Sequence, residues 1–325
     1  MGKLIKLAFV DFEPGFVPEK SLLYRILLRN YQIELSKEPD YLFYSHYGER
    51  HLSYDCIRIY CSKEPVTPDF NFCDYAIGPD YLTLQDRYFR FPEYYFDRET
   101  FAQMSDKTYF TSSNIRSKGS FCGFWYRKED QTAERDLFFE RIKEYKAPES
   151  AGPLHNTLEG VVSDKQAFLE KCKFSIAFES CSNPGYTSSV LMQAFAAQTI
   201  PIYWGNPLIG REFSTQAFVN CHDFRSWSEV IEAVRHIDQD DDLYLKMMRT
   251  PALAEPDRDI DRMEEHLLTF LSGIFDQPLE RARRINRSSA RKAFEKRARR
   301  KEMIFRLSPL GWYHWLRRKM RNLGH

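Results

Sequence analysis

The chain has 325 residues, 43% of them hydrophobic and 15% aromatic, which is ample for two packed domains. No run of 18 apolar residues occurs, which excludes a membrane-spanning helix. Its seven cysteines (56, 61, 73, 122, 172, 181 and 221) are scattered without a CxxC pair, favouring reduced thiols over disulfides or zinc. The net charge of +1 hides a division: residues 281–325 hold sixteen Lys and Arg against two acids, a net of +14, and residues 1–280 carry −13.

In chain order, residues 3–10 (KLIKLAFV) read as a first core strand. The run is too short for a signal peptide and is closed by Asp11 and Glu13. Leu22, Leu23, Ile26 and Leu27 recur at helical spacing and predict a first crossover helix. Apolar runs at 41–44, 57–61 and 75–77 predict further strands, and Glu64 lies in the loop just after the second of these. The first domain is expected to span 1–103, and the polar stretch 104–120 to be a linker. Residues 121–126 then read as a strand and 132–145 as a helix, with Arg135 near its start, in a second domain spanning 121–280.

Residues 172–206 are the most informative. A buried strand at 173–179 is followed by a polar loop with an Asn-Pro-Gly turn. A helix from Ser188 with Val190, Leu191, Ala194 and Phe195 on one stripe comes next, then a second buried strand at 199–204. Strand, helix and strand make one βαβ crossover, which demands a parallel sheet. Ligands of such sheets sit where strand ends meet a helix N-terminus, because its free N–H groups and macrodipole attract phosphate. The loop ending in Tyr186-Thr187-Ser188-Ser189 occupies that place, so a nucleotide-diphosphate site is expected there.

This segment resembles the signature of the α-1,3/4-fucosyltransferases, inverting enzymes of the GT-B architecture that use GDP-fucose. Lys173, Phe174, Phe178, Glu179, Tyr186, Ala194, Ile200, Pro201, Tyr203, Trp204 and Gly205 match it as they stand. The similarity continues through Phe213, Phe218-Val219-Asn220 and His222-Asp223-Phe224, and covers roughly residues 58–250. The resemblance implies an α/β fold of two Rossmann-like domains facing across a cleft, followed by the basic helical tail. It implies transfer of L-fucose from GDP-fucose to a glycan hydroxyl, such as O3 of a GlcNAc-like residue. Glu64 matches the family's base, which takes the proton from the attacking acceptor hydroxyl. Arg135 matches the arginine that neutralises the departing diphosphate. Glu179, Ser180, Tyr186, Ser188 and Ser189 fall in the donor site. The chain departs from the family at Ser180, where an Asn is usual, and at Ser188-Ser189-Val190, where Thr-Glu-Lys is usual. Losing that Lys removes a phosphate contact of about 1.5–3 kcal/mol, with Arg127, Lys128 and Arg211 as candidate replacements.

The acidic runs 238–242 and 257–261 sit in helical or loop context and read as solvated faces, and GT-B enzymes generally rely on bases and helix dipoles. No obligatory metal or cofactor is therefore expected. His222-Asp223 reads as structure. The tail, 281–325, reads as a basic helix, a turn at 308–311, then Trp312-Tyr313-His314-Trp315-Leu316-Arg317-Arg318-Lys319-Met320. Aromatics beside a basic cluster suit an anionic membrane surface, and the acidic body argues against nucleic acid; a solvated helix is the alternative. The expectation is a cytoplasmic enzyme, peripheral on the inner face of the cell membrane, using a free or lipid-linked glycan acceptor. The alternatives are a relative with an altered donor and a catalytically inactive glycan-binding or membrane scaffold protein.

Overall fold

The computed structural model describes residues 2–105, 111–255, 259–286 and 288–308. It forms two compact units. The first draws on the chain up to Gly78, on Leu82–Phe91 and on residues from Met263 onward; the second comprises Pro79–Tyr81 and Pro92–Arg262.

In the first unit, β1 (Lys3–Val10), β2 (Tyr31–Leu35), β3 (Tyr41–Tyr44), β4 (Ile57–Cys61), β5 (Tyr75–Gly78) and β6 (Tyr88–Arg90) form one sheet. The order is β2-β1-β3-β4-β5-β6, and each pairing is parallel. Strands β3, β4 and β5 are buried along their whole length, as strands covered on both faces must be. The predicted first helix is present: the Ser21 side chain accepts from Tyr24 N and opens Leu22–Leu27, whose Leu22, Leu23, Ile26 and Leu27 are buried.

The helix Ile260–Phe275 explains why the chain returns to this unit well before residue 281. Its Leu267, Leu271, Ile274 and Phe275 are all buried. The Phe275 ring meets Tyr41 edge-on at 4.6 Å and Tyr31 at 5.6 Å, over the β1–β3 end of the sheet. Glu264, fully buried on the same helix, pairs with Arg29 and lies 3.7 Å from Arg25.

The basic segment does not start as a free tail. Arg284 N and Ile285 N each donate to Asp74 Oδ1 at 2.8 Å. Glu295 pairs with Arg58 of β4 at 2.5 Å, their side chains 16% and 6% exposed, and Phe294 stacks on Phe72. The helix Ser289–Leu307 then exposes Lys292, Lys296, Arg297, Arg299, Arg300 and Lys301. The Trp312–Trp315 portion of the tail lies outside the described residues.

In the second unit, β7 (Ser120–Phe124), β8 (Glu149–Ser150), β9 (Cys172–Phe178), β10 (Ile200–Trp204) and β11 (Val219–Asn220) stand in the order β11-β10-β9-β7-β8, again all parallel. The stretch 104–120 is not one linker. Met104, fully buried, and Ser105 end the helix Arg98–Ser105, Ser112–Ser117 is a second helix, and Ser120 opens β7. Residues 106–110 lie outside the described set. Met104 and Ile115 are buried, so the stretch packs at two points although it is polar on average and largely exposed around Ile115.

Numbered from its own first strand, the first sheet has the order 2-1-3-4-5-6 and the second 2-1-3-4-5, so both are doubly wound α/β sheets of the same kind, the first longer by one strand. The order reverses between β1 and β3 in one unit and between β7 and β9 in the other. The βαβ crossover read in the sequence is β9, the helix Ser189–Ala196 and β10.

Candidate functional site

Ligands of doubly wound sheets bind beyond the strand C-termini where the order reverses. In the second unit that place is framed by Trp125, Tyr126 and Arg127 after β7 and by Glu179 after β9. The Tyr126 hydroxyl ties the two strands together past their last pairing. It donates toward Ile176 O and Phe178 O at 3.0 and 3.1 Å and accepts from Phe178 N at 2.7 Å.

Arg135 comes to the same point from the first turn of the helix Ala133–Arg141, which Thr132 caps. Its side chain is 4% exposed, and Cζ lies 4.2 Å from the Tyr126 ring centroid. Nε and Nη2 donate to Phe178 O at 3.2 and 2.6 Å, and Nη1 donates to Asp130 O. Among the described residues the hydrogen-bond partners of this guanidinium are neutral, the carbonyls of Asp130 and Phe178 and the Tyr126 hydroxyl. A buried cation without a carboxylate is costly, and an anion placed beside it offsets that cost.

Glu179 is 1% exposed. Its Oε1 accepts from Ser188 N at 2.9 Å and from the Tyr203 hydroxyl at 3.4 Å, whereas Oε2 is buried without a partner among the described residues. Burial pushes its carboxyl up to about 7, against the lowering effect of the Ser188 hydrogen bonds and the Arg135 charge. Gly205 of the signature is needed here, because a Cβ at that position would stand 2.2 Å from Glu179 Cγ.

Ser188 is the N-cap of the signature helix, its Oγ accepting from Val190 N at 3.3 Å. Ser189 is half-buried, and its Oγ accepts from Gln193 Nε2 at 3.2 Å. Gln193 Oε1 in turn accepts from Lys165 Nζ at 2.8 Å. Lys165 opens the short helix Lys165–Leu169, and Nζ lies 5.4 and 5.8 Å from the Trp125 and Tyr126 ring centroids. Burial draws its pKa down to about 8, Arg135 and Arg127 pushing the same way and Asp130 and Glu179 the other.

Tyr186 is buried and Ser180 exposed. The loop between them is held by a polar network: Gly185 N donates to Asn206 Oδ1, Asn206 Nδ2 to Thr187 Oγ1, and Thr187 Oγ1 to Glu212 Oε2. Arg127 is exposed and paired with Asp130 at 3.3 Å, and Arg211 lies over the Tyr81 ring at 5.0 Å. His222 Nε2 bonds Gly205 O at 2.9 Å, and the Asn220 side chain accepts from His222 N. Asp238 is engaged by Lys146, Lys173 and Tyr145, and Asp257 lies outside the described residues. Among the described residues, no three His, Cys, Asp or Glu side chains converge as metal ligands would.

The first unit carries its own cluster beyond β1, β3 and β4. Glu64 is half-buried, its N–H donating to Ser62 Oγ at 3.1 Å. His46 Nδ1 lies 3.1 Å from the same Ser62 Oγ. Burial lowers the His46 pKa, with Glu13 opposing. Asp11, at a φ of 58°, accepts from His51 Nδ1 at 2.9 Å and from the backbone N–H of Arg50 and His51. Burial raises the Asp11 carboxyl, but these bonds outweigh it and hold the carboxyl below its ordinary value. Sequence reasoning missed His46, the Asp11–His51 pair and Lys165. Each follows a strand end or opens a helix, a signal readable only once the strand order is known.

Comparisons with known proteins give the family and the fold. Residues 7–97 match the family model described as the alpha-(1,3)-fucosyltransferase FucT N-terminal domain, and residues 115–254 that described as the glycosyltransferase family 10 (fucosyltransferase) C-terminal part. The chain is 31% identical over 267 residues to alpha-(1,3)-fucosyltransferase FucT of Helicobacter pylori, covering 71% of this chain and 56% of that one. It thus spans little more than half the length of that curated relative. A crystal structure of an alpha1,3-fucosyltransferase superposes with a TM-score of 0.73 at 25% identity, over 85% of this chain and 91% of that one. Another, of an alpha1,3-fucosyltransferase with GDP-fucose, gives a TM-score of 0.69 at 24% identity, covering 86% and 93%.

Proposed function

The chain belongs to glycosyltransferase family 10, the fucosyltransferases, and from that premise we propose that it moves L-fucose from GDP-fucose to a glycan hydroxyl with inversion at the anomeric carbon. The observation that carries the reading is Arg135. It is a buried guanidinium whose hydrogen-bond partners among the described residues are neutral, at the strand-order reversal of the second unit, beside the end of β9. An anion whose negative charge grows in the transition state, as on a departing GDP, suits that position. The buried and unpartnered Glu179 Oε2 is free to accept from a hydroxyl of the donor. Ser188 and Ser189 open the helix whose N-terminus favours phosphate, and Tyr186 and Ser180 belong to the same loop.

Glu64 is the proposed base. Its loop follows β4 and is braced through Ser62, and a carboxylate there takes the proton from the acceptor hydroxyl as it attacks. No obligatory metal or cofactor is proposed. The proposed acceptor is O3 of a GlcNAc-like residue, on a free or lipid-linked glycan. The exposed bases of Ser289–Leu307 support attachment to an anionic membrane surface, hence a cytoplasmic enzyme peripheral on the inner face of the cell membrane.

Incubating the full chain with GDP-fucose and a panel of acceptors, then reading product linkage by NMR, tests the reading. Transfer to a GlcNAc O3 is expected; absence of both transfer and GDP binding would overturn it. A second reading, a different sugar nucleotide as donor, is favoured by Ser189 and Val190, which supply neither the acid nor the base usual at those positions. Ser189→Glu with Val190→Lys should tighten GDP-fucose binding if the donor is unchanged.

A further inference from the structure

Val190, on the first turn of the signature helix, brings no charge to the phosphate end of the donor site. Of the bases nearby, Arg127 is exposed and engaged by Asp130, and its ion pair is of the kind that contributes little. Lys165 differs. It is half-buried, with its ammonium against the Trp125 and Tyr126 rings. Its one hydrogen bond among the described residues goes to a neutral amide oxygen, Gln193 Oε1. An ammonium has three protons to donate, and partly desolvating it with one of them used carries a cost that an anion completing the set would offset.

Two cations therefore flank one ring. Arg135 Cζ stands 4.2 Å and Lys165 Nζ 5.8 Å from the Tyr126 centroid, and neither has a carboxylate among its hydrogen-bond partners. Like charges brought together repel; Asp130 and Glu179 offset part of that repulsion, and an anion placed beside the pair would offset more. Gln193 fixes the ammonium against the first turn of the helix, since its own Nε2 donates to Ser189 Oγ. The Lys165 head is thereby linked through Gln193 to Ser189, the first residue of that helix, from a different element of the fold.

We propose that Lys165 is a diphosphate-binding residue of the donor site, acting with Arg135 and supplying from the helix Lys165–Leu169 the positive charge that position 190 lacks. This rests on reading the second unit as the GDP-sugar site. The lowering of the Lys165 pKa by burial is what a desolvated ammonium awaiting an anion would show.

The test is titration calorimetry of the full chain with GDP and, separately, with inorganic pyrophosphate, using wild type, Lys165→Met and Lys165→Arg. Met keeps the length and apolar stem without the charge. GDP affinity should fall about ten- to a hundred-fold in Lys165→Met, as for loss of one charge-assisted phosphate contact. Its melting temperature should hold or rise, and Lys165→Arg should keep most of the affinity. Equal GDP affinity in wild type and Lys165→Met would overturn the proposal, as would a loss shared by both variants and matched by a fall in melting temperature. Wild type that binds pyrophosphate through Lys165 but not GDP would sink the nucleotide reading and leave the cation pair standing. Binding of neither ligand by wild type would remove both.

Discussion

At the reversal of strand order in the first unit, the residues beyond β1 and β3 are Asp11, Ser45 and His46, with Glu64 beyond the next strand, β4. At the reversal in the second unit, the residues gathered there are Arg135, Lys165 and the capped end of the signature helix, with Glu179 holding the loop. One scaffold, with one strand order, thus carries proton-accepting groups in one copy and cations without carboxylate partners in the other. The difference teaches that the sheet supplies only the place. The loops after the strands decide which charged groups stand there.

The comparison breaks most sharply at Glu64. Glu64→Gln keeps size and polarity but cannot take the proton, so transfer should fall about 10²–10⁴-fold while GDP binding by calorimetry stays unchanged. Unaltered turnover would move the base elsewhere in the first unit, with His46 the next group to test.

Truncation separates the fold of the first unit from the surface it presents. Ending the chain at residue 280 removes Glu295 and leaves Arg58 buried without its partner, a loss of about 3–5 kcal/mol. Ending it at Lys301 keeps that pair, so denaturant unfolding should match the full chain. The chain ending at Lys301 also keeps the six exposed bases, so its binding to anionic vesicles should weaken with the loss of the five bases beyond, without vanishing, while transfer to a soluble acceptor is spared. Vesicle binding that ignores lipid charge and salt would defeat the electrostatic account of the tail.

In the second unit, Gly205→Ala sets a Cβ against Glu179 Cγ. Strain of this kind costs about 1–3 kcal/mol, and donor affinity should fall with stability because Glu179 must shift. A fully stable variant that binds GDP normally would show that the Glu179 position is loosely set.

The smallest expected effect is a pH profile. The Glu179 carboxyl, ordinarily at 4.5, stands at about 7 in the fold, chiefly through burial. A group raised in this way favours the folded state below 4.5, and that contribution is lost as pH rises through 7. Melting temperature of the ligand-free protein should therefore decline across that window, and Glu179→Gln should flatten the decline. Parallel profiles for the two proteins would mean that Glu179 is ionised in the fold at both ends of the window.

Much of this protein was legible in local pattern. The strands at 41–44 and 57–61, the helix with Leu22, Leu23, Ile26 and Leu27 inward, and the β9–helix–β10 crossover all follow from apolar periodicity and small polar caps, Ser21, Ser188 and Ser226 among them. Those signals act within a few residues, so one chain segment contains them whole. Arg135 and Glu179 were singled out by their match to the fucosyltransferase pattern, together with their places near the start of a helix and the end of a strand. The return of the chain at Met263 was not legible, because the polar face of Ile260–Phe275 hides four residues whose cover lies on strands some 230 residues earlier in the chain. The basic segment read as a tail from 281, yet its first fifteen residues are claimed by Asp74 and Arg58, buried polar groups that only the assembled sheet leaves in need of partners. Lys165, an ordinary lysine by sequence, acquires its character from Gln193, Trp125 and Tyr126, none of them near it in the chain. Sequence by itself determined where the backbone would form strands and capped helices, since those energies are local. Which charges end up together and out of water depends on strand order and side-chain cover, and only the tertiary structure decided it.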